Sequence, residues 1–308
     1  MEKSKIELLA DYRKSNKVRR ARIVEKSGKR TETAYLNYLV TADRIETTLS
    51  APSKTVRTST RAKAVDLVKK AVKKTTKEES LDAVIAFDTT GSMGSYLQAV
   101  KERIVEEIKK WFENIPNLKM KIVAFGDYCD MESKTKFGKA YQESPLTDDA
   151  ATLIKFVRNA KSTSGGDSDE FYELVIKKIT EETPWRSGKR SVLLIADCDP
   201  HQPGYTHSGI IENSQIDWRL EAKKAAKLSI PFDTLSIHGS KYPWYKELSE
   251  ITGGVYLPFT SKSQGQTSEL IGATMYARGA SDAVYFTAVE SASTVEMSAI
   301  FKTLSTLR

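Results

Sequence analysis

From residue 81 onward the chain repeats one pattern: a short, nearly continuous apolar run followed by a longer amphipathic stretch. The runs are "DAVIAF" (82–87), "KMKIVAF" (119–125), "SVLLIA" (191–196), "FDTLSI" (232–237) and "GVYLPF" (254–259). They are of strand length and rich in β-branched and aromatic residues. Between them lie "SYLQAVKERIVEEIKKWF", "DDAATLIKFVRNA", "DEFYELVIKKITEE", "QIDWRLEAKKAAKL" and "YPWYKELSEIT". In the first of these Leu97, Val100, Ile104, Ile108 and Trp111 recur at helical spacing. Continuous apolar strands alternating with helices are what a parallel sheet covered on both faces requires. The pattern therefore predicts an α/β fold with a doubly wound, mostly parallel, Rossmann-like sheet. "TKFGKAYQESP" (135–145) follows the second run with no helix between, and predicts an antiparallel edge strand.

Before residue 80 the pattern differs. Ala34, Tyr35, Tyr38, Leu39 and Ala42, and again Val65, Val68 and Val72, are spaced as on a helix face. Gly28 and Pro52 are the only glycine and proline there. These positions predict a mostly helical N-terminal extension over 1–79, partly flexible over 17–30, with "TTKEES" (75–80) as connector. The main domain is then 80–280. A C-terminal tail, 281–308, carries Ile300, Phe301, Leu304 and Leu307 as an amphipathic helical stripe.

Charge sharpens this division. The net charge of the 308 residues is +8, but residues 1–80 hold 21 Lys+Arg against 10 Asp+Glu, a net of +11, so the remainder is slightly acidic. A basic segment of this kind suits nucleic acid, an anionic surface or an acidic partner face. Two cysteines, Cys129 and Cys198, are too few for a disulfide framework and form no CxxC pair. No apolar run approaches the roughly 18 residues of a membrane span, and the first thirty residues hold no signal-like apolar core. The expectation is a cytoplasmic protein without a membrane partner.

In an open parallel sheet, ligands bind beyond the carboxyl ends of the strands. The residues gathered there by the pattern are oxygen-bearing. Asp88, Thr90 and Ser92 follow the first run at i, i+2, i+4; Asp197 and Asp199 follow "SVLLIA"; "STSGGDSDE" (162–170) supplies Thr163 and Asp167. Helix capping favours the same residue types. Yet three separate loops offering carboxylates and hydroxyls, with no lysine or arginine inside the motifs, suit a hard divalent cation. Neutral hydroxyls and water would leave such an ion net positive and open to an outside carboxylate.

At these residues the chain resembles the von Willebrand factor type A domain. That family's metal-ion-dependent adhesion site reads Asp-x-Ser/Thr-x-Ser, then a distant Thr, then a distant Asp. "DTTGS" fits the first element at Asp88, Thr90 and Ser92, "TSGGDSDE" resembles the threonine loop with Thr163 in the ligand place, and "LLIADCDPH" resembles the strand end with Asp197 as the last aspartate. The resemblance covers about 80–280. It is nearest to the intracellular branch found with alpha-kinases, through "DTTGSM", "VAFGDYCD", "GGDSDE" and "ADCDPH"; no kinase accompanies these motifs, so that activity is not carried over. Thr90 stands where Ser is commoner. The resemblance implies magnesium as cofactor, with manganese or calcium as substitutes, held by Asp88, Thr90, Ser92, Thr163 and Asp197. Asp167 and Asp199 are outer-shell candidates, and the partner is a protein presenting Asp or Glu.

Rival readings are separable. "FDTTGS" has one threonine too many for an aspartic-protease loop, and "RSGKRS" lacks the hydroxyl directly after Gly-Lys that a P-loop needs. A metal-dependent phosphohydrolase of the haloacid dehalogenase type would use Asp88 as nucleophile, but wants Asp-x-Asp where position 90 is threonine. No nucleophile and base pair is visible, so no enzyme is expected. His201 and His207 with Asp199 offer a separate zinc reading. The alternative from another class is nucleic-acid binding through the basic segment, with Arg19, Arg20, Arg22 and Arg30 on phosphates.

Overall fold

The computed structural model describes residues 4–9, 19–27, 30–40, 45–49, 80–186, 188–237, 241–258, 264–279 and 304. The chain divides into two compact units, the boundary falling between Glu78 and Glu79.

In the first unit, four strands form an antiparallel sheet in sequence order: β1 (Ser4–Leu9), β2 (Arg19–Ser27), β3 (Arg30–Val40) and β4 (Ile45–Leu49). This corrects the helical expectation for that stretch. Ala34, Leu36, Tyr38 and Val40 also alternate at period two, and that alternation wins over the i, i+3, i+4 spacing seen at Ala34, Tyr35, Tyr38 and Leu39. β2 and β3 pair antiparallel with Ser27 opposite Arg30, three positions apart in the sequence. Of the four arginines expected on phosphates, Arg19, Arg20 and Arg22 belong to β2 and Arg30 opens β3. The Val65 to Val72 spacing and the 281–308 tail, Leu304 apart, lie outside the described residues.

The second unit is α/β. Its central sheet takes β5 (Leu81–Asp88), β6 (Leu118–Phe125), β7 (Tyr141–Glu143), β9 (Lys189–Ala196), β11 (Phe232–Ser236) and β12 (Tyr256–Pro258) in the spatial order 12-11-9-5-6-7. All neighbours are parallel except β7, which runs antiparallel to β6 at the edge, where the sequence placed such a strand. Two short strands, β8 (Asp169–Glu170) and β10 (Asp199–Pro200), pair separately.

Helices cover both faces. Ala83, Ile85 and Phe87 of β5 point into one core with α1 (Gly94–Asn114), α2 (Ala150–Asn159) and α6 (Gln264–Gly279). Val84 and Ala86 point the other way, into a core with α3 (Tyr172–Glu182), α4 (Trp218–Lys227) and α5 (Trp244–Thr252). All eight residues of β5 are buried, which is why the sequence shows an unbroken apolar run there. Among the described residues no helix is long and apolar enough to cross a membrane.

The topology locates a crevice before any side chain is considered. The chain leaves β5 toward β6 on one side and leaves β9 toward β11 on the other, so the connections diverge at the carboxyl ends of β5 and β9. Open α/β sheets bind ligands at such a switch point. Asp88 ends β5 and Asp197 follows β9.

Candidate metal centre at the switch point

Asp88 is fully buried, and both of its oxygens are engaged. Oδ1 accepts from the Thr90 backbone N–H at 2.7 Å and from the Thr90 hydroxyl at 2.7 Å; Oδ2 accepts from the Tyr172 hydroxyl at 2.5 Å. The Thr90 and Ser92 hydroxyls lie 3.1 Å apart, and Ser92 donates to Asp197 Oδ1 at 3.1 Å. Asp88, Thr90, Ser92 and Asp197 therefore form one continuous chain of oxygens drawn from two loops. Neither Thr90 nor Met93 caps the following helical turn with its side chain, so the capping explanation for these residue types fails here.

Thr163 is held beside this chain. Its backbone N–H donates to Thr89 O at 3.0 Å, Gly91 N–H donates to Ser164 O at 3.3 Å, and Asp130 accepts from the Ser164 and Gly165 N–H groups at 2.9 and 3.1 Å. Its hydroxyl, however, meets Thr89 Oγ1 at 2.9 Å rather than any of the four linked groups. Gly126 makes this approach possible, since a Cβ there would lie 2.4 Å from Thr163 Oγ1.

The outer-shell candidates belong to the β8 and β10 segments. Asp199 lies in β10, where its backbone pairs with Asp169, and burial raises its pKa, as does Asp169 beside it. Asp167 is exposed and accepts from Tyr205 Oη at 2.9 Å and Asp169 N–H at 3.1 Å. His207 forms a local bridge with Ile211.

Sequence reasoning passed over several residues that complete the site. Tyr172 steadies Asp88 and accepts from Cys198 N–H at 3.3 Å. Glu170 is 2% exposed, and its Oε2 has no hydrogen-bond partner although it is buried. "GGDSDE" contained it, but the β8–β10 pairing that turns it inward is not legible in the sequence.

Electrostatics set the character of the place. Burial, and then the charge of Asp197, push the Asp88 carboxyl up to about 7. Glu170 is raised to about 10, first by burial and then by Asp88, Asp127, Asp197 and Asp130. Among the described residues no ion pair reaches Asp88 or Glu170. Buried ionised carboxylates ordinarily pair with cations or coordinate metals. A donor set of carboxylate and hydroxyl oxygens, with an orphaned carboxylate oxygen beside it, fits a hard divalent ion. The cysteines do not suit the role: burial raises Cys129 to about 12 and Cys198 higher, so both remain neutral thiols.

No family model matches the chain. A putative ariadne-like RING finger protein of Acanthamoeba polyphaga mimivirus is 26% identical over 196 residues, which are 59% of this chain and 19% of the viral protein. The chain thus spans about a fifth of the length of the curated relative it matches.

Proposed function

We propose that residues 80–280 form a magnesium-dependent protein-interaction module of the von Willebrand factor A type. In this reading Asp88, Thr90, Ser92, Thr163 and Asp197 hold the ion directly or through water, and a partner's Asp or Glu completes its shell. The observation that carries it is the unbroken link from Asp88 through Thr90 and Ser92 to Asp197, residues 109 positions apart at the ends, at the point where the sheet connections diverge. Bound magnesium would supply one uncompensated positive charge centre; the chain's own groups orient it and limit its neutralisation, because two of the four linked groups are neutral hydroxyls. Manganese or calcium would substitute at lower fit. A match to about a fifth of a much longer viral chain accords with a module that larger proteins also carry.

The test is calorimetric titration of magnesium into wild type and Ser92→Ala, followed by partner capture on the immobilised chain. Wild type is expected to take up magnesium, and Ser92→Ala to bind it at least tenfold more weakly. Bound partner should leave in EDTA and stay at high salt. A folded wild type that takes up no divalent ion at millimolar concentration overturns the proposal.

A second reading concerns the first unit. The net charge of +11 over residues 1–80, which include that unit, favours phosphates. Partner loss at high salt, with nucleic acid among the released material, is the outcome that selects it. The hydrolase reading lacks the second aspartate of its Asp-x-Asp motif, position 90 being threonine; phosphate release from a generic phosphomonoester would restore it.

A further inference from the structure

Next to the oxygen-lined site lies a second convergence of different chemistry. Asp127 stands two residues past β6, Asp167 in the loop before β8, and His201 one residue past β10. One ligand-capable atom from each lies within 4.8 Å of the others. Three strand-end segments, distant in sequence, thus bring two carboxylates and an imidazole to one point. We propose that Asp127, Asp167 and His201 form a second divalent-cation site, for an ion that accepts nitrogen, with zinc as the natural occupant and manganese as a substitute.

The bland account is a hydrogen-bonded His–Asp pair with an acid nearby. His201 Nε2 and Asp127 Oδ1 are indeed 2.7 Å apart. Three observations go beyond it. Asp127 has no solvent exposure, yet its Oδ2 has no hydrogen-bond partner. A buried carboxylate oxygen left without a partner costs free energy that a bound cation removes. Second, the groups are fixed in place, as metal ligands are by their neighbours. Tyr205 donates its hydroxyl to Asp167 Oδ2 at 2.9 Å while its ring stacks on His201 at 3.6 Å between centroids, so one side chain orients two candidate ligands. The His201 N–H donates to Glu170 O at 3.2 Å, holding that residue's backbone to the β8 end. Third, the burial is graded. Asp127 and His201 are buried while Asp167 is exposed, which gives a closed floor and an open side for an ion to enter.

Ligand chemistry separates this site from its neighbour. Magnesium and calcium prefer oxygen alone, whereas imidazole with carboxylates suits zinc and manganese. Ligands about 2.0–2.2 Å from zinc in tetrahedral array lie about 3.3 Å from each other. Opening the His201–Asp127 contact from 2.7 Å by about 0.6 Å is the rearrangement that pair needs.

The test uses the full chain stripped of metal and reloaded with manganese or zinc. Pulsed EPR of the manganese-loaded protein is expected to show nitrogen hyperfine coupling from an imidazole. The coupling should persist in Ser92→Ala, which disables the oxygen-lined site, and vanish in His201→Gln. Zinc counted after gel filtration should bind at least tenfold more weakly to Asp167→Asn, whose exposed position leaves the fold intact, while magnesium uptake stays at the wild-type level. Manganese bound without nitrogen coupling in wild type overturns the proposal, as does zinc affinity unchanged in Asp167→Asn.

Discussion

Asp88→Asn is expected to abolish measurable magnesium uptake and metal-dependent partner binding while making the metal-free chain more stable at pH 8. The two effects oppose each other, and that opposition is the diagnostic. Asparagine keeps an oxygen for the Thr90 N–H and hydroxyl and retains nearly the same shape, so the loop after β5 stays ordered. It removes a buried negative charge whose carboxyl burial and Asp197 have pushed up to about 7. At pH 8 that carboxyl is ionised, and holding the charge there costs on the order of 2–4 kcal/mol. Relief of part of that cost should raise the melting temperature by several degrees. A purely structural Asp88 predicts the reverse, a loss of stability from weakened hydrogen bonds. Sites that store unfavourable charge for a ligand show this trade between stability and function.

The second large effect is a pH dependence that magnesium reverses. Asp88 and Glu170 both have folded-state pKa values above their ordinary ones, to about 7 from 3.8 and to about 10 from 4.5. The folded chain therefore binds more protons than the unfolded chain between those limits, and stability falls as pH rises. The contribution of Asp88 is complete below about pH 4 and lost by about pH 7; that of Glu170 fades from about 4.5 to 10. Unfolding free energies of metal-free protein should decline steadily from pH 5 to pH 9, with about 3 kcal/mol of the fall coming from Asp88, all of it below about pH 7. Magnesium at a hundred times its dissociation constant should return about 2.7 kcal/mol at pH 8. Asp88→Asn should flatten the fall between pH 4 and 7 and show no magnesium rescue. A flat profile in the wild type would contradict the electrostatic account.

Much of the second unit was legible because of what burial on both faces does to composition. β5, β6 and β9 each carry four or five consecutive apolar residues, 83–87, 122–125 and 192–196, and the Leu97 to Trp111 stripe marks its helix as clearly. The first unit misled because a stretch of a few residues can satisfy two periods at once. Ala34 and Tyr38 belong to both the helical and the alternating pattern, and the antiparallel pairing of β3 with β2 decides between them. Within the site, Asp88, Thr90 and Ser92 announced themselves by local spacing, and Asp197 by its place at a strand end. Glu170, Tyr172 and Thr89 could not, since their roles come from long-range pairing: β8 against β10, Tyr172 across 84 residues to Asp88, Thr89 across 74 to Thr163. The surroundings of Asp167 are hidden for the same reason. Nothing local shows that Tyr205 draws it toward His201.

The central claim is that side chains from separate loops hold one divalent ion at the carboxyl ends of β5 and β9. Crystals of the chain soaked in manganese, with the anomalous difference map calculated at the manganese edge, test it most directly. The account predicts a peak within bonding distance of the Thr90 or Ser92 hydroxyl and in contact, direct or through water, with Asp88 and Asp197. A well-ordered map with no peak at that position would contradict it.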